Sequence, residues 1–370
     1  MKKQSCTIAA RRACRAFTLL ELIMSIGILV LLVLCVTQVV NTAATVVRPA
    51  NKHIDTDTLA RNVLDRMAVD FARMLKRTDV DYYVKAPAGY KNPKAHGNYN
   101  GLKLKTGEPG NDQIAFFTQV PGYYPSTGSQ SPISLVAYRV NAGSTTAASY
   151  LMLERMGKGL LWNGVDNGTS SNSNYPIVFL PGQIAAGNPP WNQQWYGAVN
   201  NDNNTRSADP DYETIGPGVF RFEYYYLLKD GTINGDAPKI DWKTTWVFNT
   251  QTVSANLNAF SDVEAIAVTI AVIDPASRSL LYDPNTPGDP YWRLFNLVSD
   301  MADFKNANGK GIGAQKIGDL ENNWNAAVQS AASTGYTTFG SAGTAPFPPA
   351  AAKAIRIYNR YFDVRTLPSL

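Results

Sequence analysis

Arg15-Ala16-Phe17-Thr18-Leu19-Leu20-Glu21 opens an apolar run that continues to Val40 and holds one carboxylate, Glu21. Apart from Thr18, Glu21, Ser25, Thr37 and Gln38, the residues from Phe17 to Val40 are apolar. As a helix rising about 1.5 Å per residue this run extends ~36 Å, enough to cross a bilayer. A secretory signal peptide has an apolar core of about 7 to 15 residues with a small-residue cleavage site after it. Here the run is longer, and the small residue, Ala16, stands before it. Lys2, Lys3, Arg11, Arg12 and Arg15 precede the run, so the positive-inside rule keeps the N-terminus cytoplasmic and exports the chain beyond Val40. A carboxylate at the centre of a membrane helix costs roughly 2.5 to 3.5 kcal/mol, so such a residue usually has a partner and a task. The plainer alternative for Glu21 is an interfacial acid with access to water.

The leader also explains the charge of the chain. Its five cations account for the whole excess of 34 Lys+Arg over 29 Asp+Glu, and the residues after Ala16 are formally neutral. The pI near 8.9 is therefore no sign of a nucleic-acid partner, and no basic patch or stripe stands out in the remainder. All three cysteines, Cys6, Cys14 and Cys35, lie in the leader or the apolar run. The exported part is expected to fold without disulfides in a compartment that permits them. Cys14 has no apolar stretch before it, which argues against a lipoprotein anchor, and Cys35 reads as a small apolar residue.

Beyond the apolar run, Pro49 is expected to interrupt the helix, with a second helix beginning near Asp55 to Thr58 and running to about Arg77. In that stretch Ile54, Leu59, Val63, Leu64, Met67, Phe71, Met74 and Leu75 recur at helical spacing, with Arg61, Asp65, Arg66, Asp70 and Arg73 mostly on the other face. After Asp79 the pattern turns to strands: Gln113 to Val120, Leu135 to Val140, Tyr150 to Met156, Val219 to Leu228, Thr244 to Phe248 and Val263 to Ile273. The last is apolar on both faces over several positions, as a central strand is. Lys229-Asp230-Gly231-Thr232 reads as a turn. Asn163 to Asp211 is a long insertion rich in Asn, Gly, Ser and Pro that carries Trp191, Trp195 and Tyr196. Helical patterning returns near Leu294 to Phe304 and Ile317 to Ala332, and a Gly/Ala/Pro-rich stretch, Gly335 to Ala351, leads to a closing strand at Ala354-Ile355-Arg356-Ile357-Tyr358.

Ala16-Phe17-Thr18-Leu19-Leu20-Glu21 resembles the processing site of type IV prepilins and type II secretion pseudopilins. The resemblance implies a leader of residues 1–16, cleavage by prepilin peptidase between Ala16 and Phe17, methylation of the new Phe17 amine, and retention of Glu21. Ala16 stands where the family usually has Gly. The helix, the strand Ile114-Ala115-Phe116-Phe117-Thr118, the hairpin of Ala137-Tyr138-Arg139-Val140 with Leu151-Met152-Leu153-Glu154-Arg155, then Phe222 to Tyr226 and Ala265 to Ile270 come in an order that resembles a J-type minor pseudopilin. The chain is also similar to the pilin-like Verru_Chthon cassette proteins, whose heads can be large. The implied fold is α+β and pilin-like: a transmembrane and assembly helix over 17–40, its continuation over 41–78, and an antiparallel β-sheet head with large loop insertions over 79–370. The implied place is the inner membrane, single-pass, with the head periplasmic. The implied partners are prepilin peptidase, other pilins or minor and major pseudopilins, and membrane lipid. In the filament so implied, Glu21 pairs with the Phe17 amine of a neighbour while Leu19, Leu20, Leu22, Ile23, Ile26, Leu29 and Val30 pack in its core.

Catalytic machinery is not legible. His53 and His96 read as solvated polar residues without Cys or His at metal spacing, and no cysteine lies beyond Cys35 to act as a nucleophile. No nucleophile elbow or Walker loop occurs, and Gly309-Lys310-Gly311-Ile312-Gly313 has no clear strand before it. Asp202-Asn203-Asn204-Thr205 with Asp209-Pro210-Asp211, and Asp283-Pro284-Asn285 with Asp289, have oxygen donors at a spacing that calcium accepts, a composition that surface turns share. The expectation is a non-enzymatic subunit without a cofactor. The alternative is a membrane-tethered adhesin or carbohydrate-binding module that never polymerises and uses the Trp-rich loop.

Overall fold

The computed structural model describes residues 18–75, 111–123, 130–141, 145–159, 212–234, 263–286, 288–301, 316–337, 344–345 and 347–364. The chain divides into two compact units, Met1–Lys52 and His53–Leu370. One helix, α1 (Leu19–Ala72), contributes to both. Helical backbone runs through Pro49, where a break was expected. Proline removes one N–H donor but fixes φ near the helical value, so the cost is local and no second start appears at Asp55 to Thr58. The helix ends at Ala72, short of Arg77.

In the second unit α1 buries Thr56, Ala60, Val63, Leu64, Met67, Asp70 and Phe71, and Met74 is buried just beyond its end. These positions recur every three to four residues and form one face. Asp70 belongs to that face and not to the solvent side where sequence placed it. The face covers two sheets.

The first sheet is built on β1 (Gln113–Thr118), β4 (Ser134–Val140) and β5 (Leu153–Gly159), paired antiparallel in that order. The outer edge of β5 is shared between β6 (Tyr212–Gly216), which pairs antiparallel, and β2 (Gly122–Tyr123), which meets it parallel at Lys158 and is extended by β3 (Gln130–Ser131). The expected β4 and β5 hairpin is present with Ala137 opposite Met156. Its second strand starts at Leu153 rather than Tyr150, because Tyr150 and Leu151 form the turn and Leu151 takes φ 52°. An apolar side chain in the left-handed region has no sequence signal of the kind glycine supplies.

The second sheet has the order β12 (Arg356–Asp363), β9 (Val263–Val272), β7 (Val219–Leu228), β8 (Ile233–Asn234), all antiparallel. β9 is central and buried along nearly its whole length, as its two apolar faces predict. The turn from β7 to β8 is the expected one: Gly231 has φ 80°, and Asp230 accepts from the Thr232 N–H at 2.9 Å. A third pair, β10 (Tyr336–Thr337) with β11 (Thr344–Ala345), lies within the stretch read as a Gly/Ala/Pro-rich connection. Short helices α2 (Pro275–Ser279), α3 (Trp292–Asp300), α4 (Asp319–Thr334) and α5 (Pro349–Ala354) complete the described elements. The segments α3 and α4 match the helical patterning; α5, entered through Pro349 and built mostly of alanine, was not foreseen.

Phe71 of α1 stacks on Phe116 of β1 at 4.9 Å and meets Phe362 of β12 at 5.0 Å, so one side chain joins the helix to both sheets. Phe362, Ile266 and Tyr226 lie in one row across β12, β9 and β7. The opposite face carries Arg221, whose guanidinium sits 4.8 Å from the Trp324 ring of α4 and 3.0 Å from Glu223. The edge of β7 away from β9 is closed by two side chains preceding β1. Asn111 Oδ1 accepts from the Phe222 N–H at 2.7 Å, Asp112 Oδ2 accepts from the Tyr224 N–H at 3.0 Å, and the Asp112 N–H donates to the Phe222 carbonyl at 3.0 Å.

Candidate functional site

From Leu19 to Thr42, α1 is long and apolar enough to cross a membrane, and none of this stretch is buried within its own unit. A signal sequence near an N-terminus has the same properties. The hydroxyls within the segment are satisfied by its own backbone. Ser25 Oγ donates to the Leu22 carbonyl at 2.9 Å, Thr37 Oγ1 to Val33 at 2.7 Å, and Thr42 Oγ1 to Gln38 at 2.9 Å. These hydroxyls return their hydrogen bonds to the helix backbone, as hydrocarbon demands.

Ala16 and Phe17, the expected cleavage pair, lie outside the described residues; Glu21 lies within them. Thr18 precedes the first helical residue and Glu21 stands three positions on. The Thr18 N–H donates to Glu21 Oε2 at 3.1 Å and its hydroxyl donates to the same oxygen at 3.2 Å. In return the Glu21 N–H approaches Thr18 Oγ1 at 3.3 Å. This is a reciprocal capping box: two N–H groups that the helix start leaves without backbone acceptors receive side-chain ones. The carboxylate also lies at the positive end of the helix dipole, worth about 0.3 to 1 kcal/mol. The signal for it was present in Thr18-Leu19-Leu20-Glu21, which has the S/T-x-x-E spacing.

A second arrangement fixes the other end of α1. Asp70 is fully buried and accepts from Arg155 Nε at 2.7 Å, from Arg155 Nη2 at 3.1 Å and from the Tyr138 hydroxyl. Arg66, one turn back, lies 3.7 Å away. Burial, then Asp70, pushes the Tyr138 hydroxyl well above the usual phenol range. For Arg155 burial alone lowers the pKa, but the bond and charge of Asp70 outweigh it and the net shift is upward. At the surface the Tyr358 hydroxyl donates to Asp57 and Arg360 pairs with Asp65, so β12 meets α1 through Tyr358, Arg360 and Phe362.

The acidic loop Asp283 to Asp289 is engaged by protein donors. Asp283 accepts from the Trp292 indole at 3.3 Å and from the Asn285 N–H at 3.1 Å, with Arg293 3.6 Å away. The Trp292 bond first, then the backbone bond, holds its pKa below the usual carboxylate value. Asp289 accepts from the Tyr150 hydroxyl and the Tyr291 N–H, both at 2.8 Å, yet burial raises its pKa. Among the described residues no group of three or more His, Cys, Asp or Glu side chains is placed to hold a metal ion. The other acidic loop, the Trp-rich insertion, His96, Thr244 to Phe248 and Gly309 to Gly313 lie outside the described residues; His53 is described only as a helical backbone position.

No protein-family model matches this chain, and no curated protein is significantly similar to it. The chain is α+β, with an apolar N-terminal helix and a head of mainly antiparallel sheets, a build consistent with a pilin-like fold.

Proposed function

We propose that this chain is a non-enzymatic filament subunit of the type IV pilin and type II secretion pseudopilin kind, closest in element order to a J-type minor pseudopilin. The observation that carries the proposal is an exposed membrane-length apolar helix with its one carboxylate in the first turn, continued by helix positions that pack on antiparallel sheets. In this reading the five leader cations hold the precursor N-in. Prepilin peptidase removes them by cutting before Phe17, and the head remains on the periplasmic side.

Cleavage creates a positive amine four residues before Glu21. Within one subunit Glu21 has Thr18 as its donor; in the filament the Phe17 amine of a neighbour gives it a charged one. A charge-assisted bond of this kind is about twice as strong as a neutral one, and leaving it unmade in lipid is costly, so it sets the axial register of neighbouring subunits.

The test is the mass of the N-terminal peptide from membrane-purified protein. N-methylated Phe17 is the expected terminus. An intact Met1, or a terminus beyond Val40 as a cleaved signal sequence leaves, overturns the reading.

A further inference from the structure

We infer that the buried Asp70, Arg155 and Tyr138 cluster is a register lock that selects one axial position of α1 on the head. The apolar face of α1 does not select it alone. Moving the helix by three residues is opposed by the face itself, since it carries Arg61 onto the place of Leu64 and Asp57 onto that of Ala60, but moving it by four carries Leu59 onto the place of Val63, Ala60 onto Leu64, Val63 onto Met67 and Met67 onto Phe71. A helix slipped by four residues therefore still presents an apolar stripe to the sheets except around the place of Asp70, because the stripe repeats with the helix turn.

Asp70 breaks that repeat. Among the described residues it is the one charged side chain on the buried face of α1, it is fully buried, and its two oxygens receive Arg155 of β5 and Tyr138 of β4, facing residues on neighbouring strands. A slip of one turn displaces the carboxylate by about 5.4 Å, beyond reach of both donors. It also leaves Arg155, itself almost wholly buried, without its main acceptor, since its other acid, Glu213, is exposed and 3.6 Å away. A buried ion pair adds little net stability over an apolar replacement of the same shape, but it penalises every arrangement that separates the two charges. Asp70 thus contributes selection of one register more than depth of the native well. Phe71, between Phe116 and Phe362, is the competing determinant, since its stacking also differs between registers. The inference concerns the head alone and stands whether or not the chain polymerises.

The test uses the full chain in detergent micelles with its three cysteines replaced by serine and spin labels at Asn62 of α1 and Thr214 of β6, both exposed. Distances are read by double electron–electron resonance. Two variants are compared with this parent. Asp70→Leu/Tyr138→Phe/Arg155→Met removes the polar cluster without leaving a charge unpaired, and Phe71→Leu removes the stack but keeps the cluster. The expected result is one narrow distance in the parent and in Phe71→Leu, and in the triple variant a second population displaced by up to about 5.4 Å. A triple variant with the parent's single distance, or a Phe71→Leu chain that splits while the triple does not, overturns the lock. Asp70→Asn alone, which leaves Arg155 buried and unpaired, is expected to lose folded protein; normal folding of that variant also contradicts the inference.

Discussion

Arg155→Met is the substitution whose cost the structure fixes most narrowly. Methionine retains most of the aliphatic stem and removes the guanidinium, so the packing around residue 155 changes little. Asp70 then keeps the Tyr138 hydroxyl and the distant, half-exposed Arg66 as its donors, and loses the two bonds of 2.7 and 3.1 Å. Breaking a buried pair by removing one partner costs about 3 to 5 kcal/mol. The remaining donors place this case at the lower end, near ~3 kcal/mol, a shift of more than a hundredfold in the folding equilibrium. For a unit of this size that amounts to roughly 4 to 5 °C in Tm. The internal control is Arg360→Met, which breaks the pair with Asp65, two side chains 39% and 57% exposed. That pair is screened by solvent and contributes below about 1 kcal/mol. Both variants are unfolded by heat in micelles while near-ultraviolet circular dichroism tracks the buried aromatics. If Arg155→Met shifts Tm by no more than Arg360→Met does, the burial argument for Asp70 is wrong.

Four further outcomes are expected. Thr18→Val removes the hydroxyl of the capping box, worth about 1 kcal/mol, so amide exchange over the first turn of α1 should accelerate roughly fivefold, with Thr18→Ser restoring it; unchanged exchange refutes the box. Glu21→Ala should leave cleavage before Phe17 intact but reduce incorporation into filaments, and normal incorporation would refute the proposed pairing. The Tyr358 hydroxyl is raised to about 12 by burial and by its bond to Asp57, so it favours the folded state in full below the unfolded phenol value of 10 and loses that contribution as pH rises towards 12. Tyr358→Phe should lessen the fall in Tm over that alkaline window. For Asp283 the sign is opposite: its depressed pKa adds stability above the unfolded value of 3.8 that is lost as pH falls through the lower folded value. Asp283→Asn should therefore reduce the acid-dependent part of the Tm loss, and no change in that slope would contradict the role of the Trp292 bond.

The sequence was most legible where period and residue type agreed. β7 begins and ends at Val219 and Leu228 as read, and β9 was recognisable as central because both of its alternating faces are apolar over several positions. Asp70 was missed because the two signals conflict. Val63, Met67, Asp70 and Met74 have the spacing of one helical face, but a carboxylate ordinarily points to solvent, and its acceptor role depends on Arg155, 85 residues away. The capping box was missed for the opposite reason: its signal is local and complete, but the resemblance to a processing site drew Glu21 towards another molecule instead of towards Thr18. No local pattern announced that Asn111 and Asp112 reach β7, since their partners stand more than a hundred positions on.

That last contact bears on how the head behaves before and after it folds. An unpaired strand edge is a template on which any extended chain can add itself. By lending two side chains and one N–H to the Phe220 to Tyr224 edge, Asn111 and Asp112 imitate a short strand without supplying one that can itself be extended. The imitation satisfies the Phe222 and Tyr224 donors, and β8 takes over the same edge of β7 at Tyr226 and Leu227. With no cysteine beyond residue 35 to cross-link this edge, its closure rests on hydrogen bonds from two polar side chains and one backbone N–H alone.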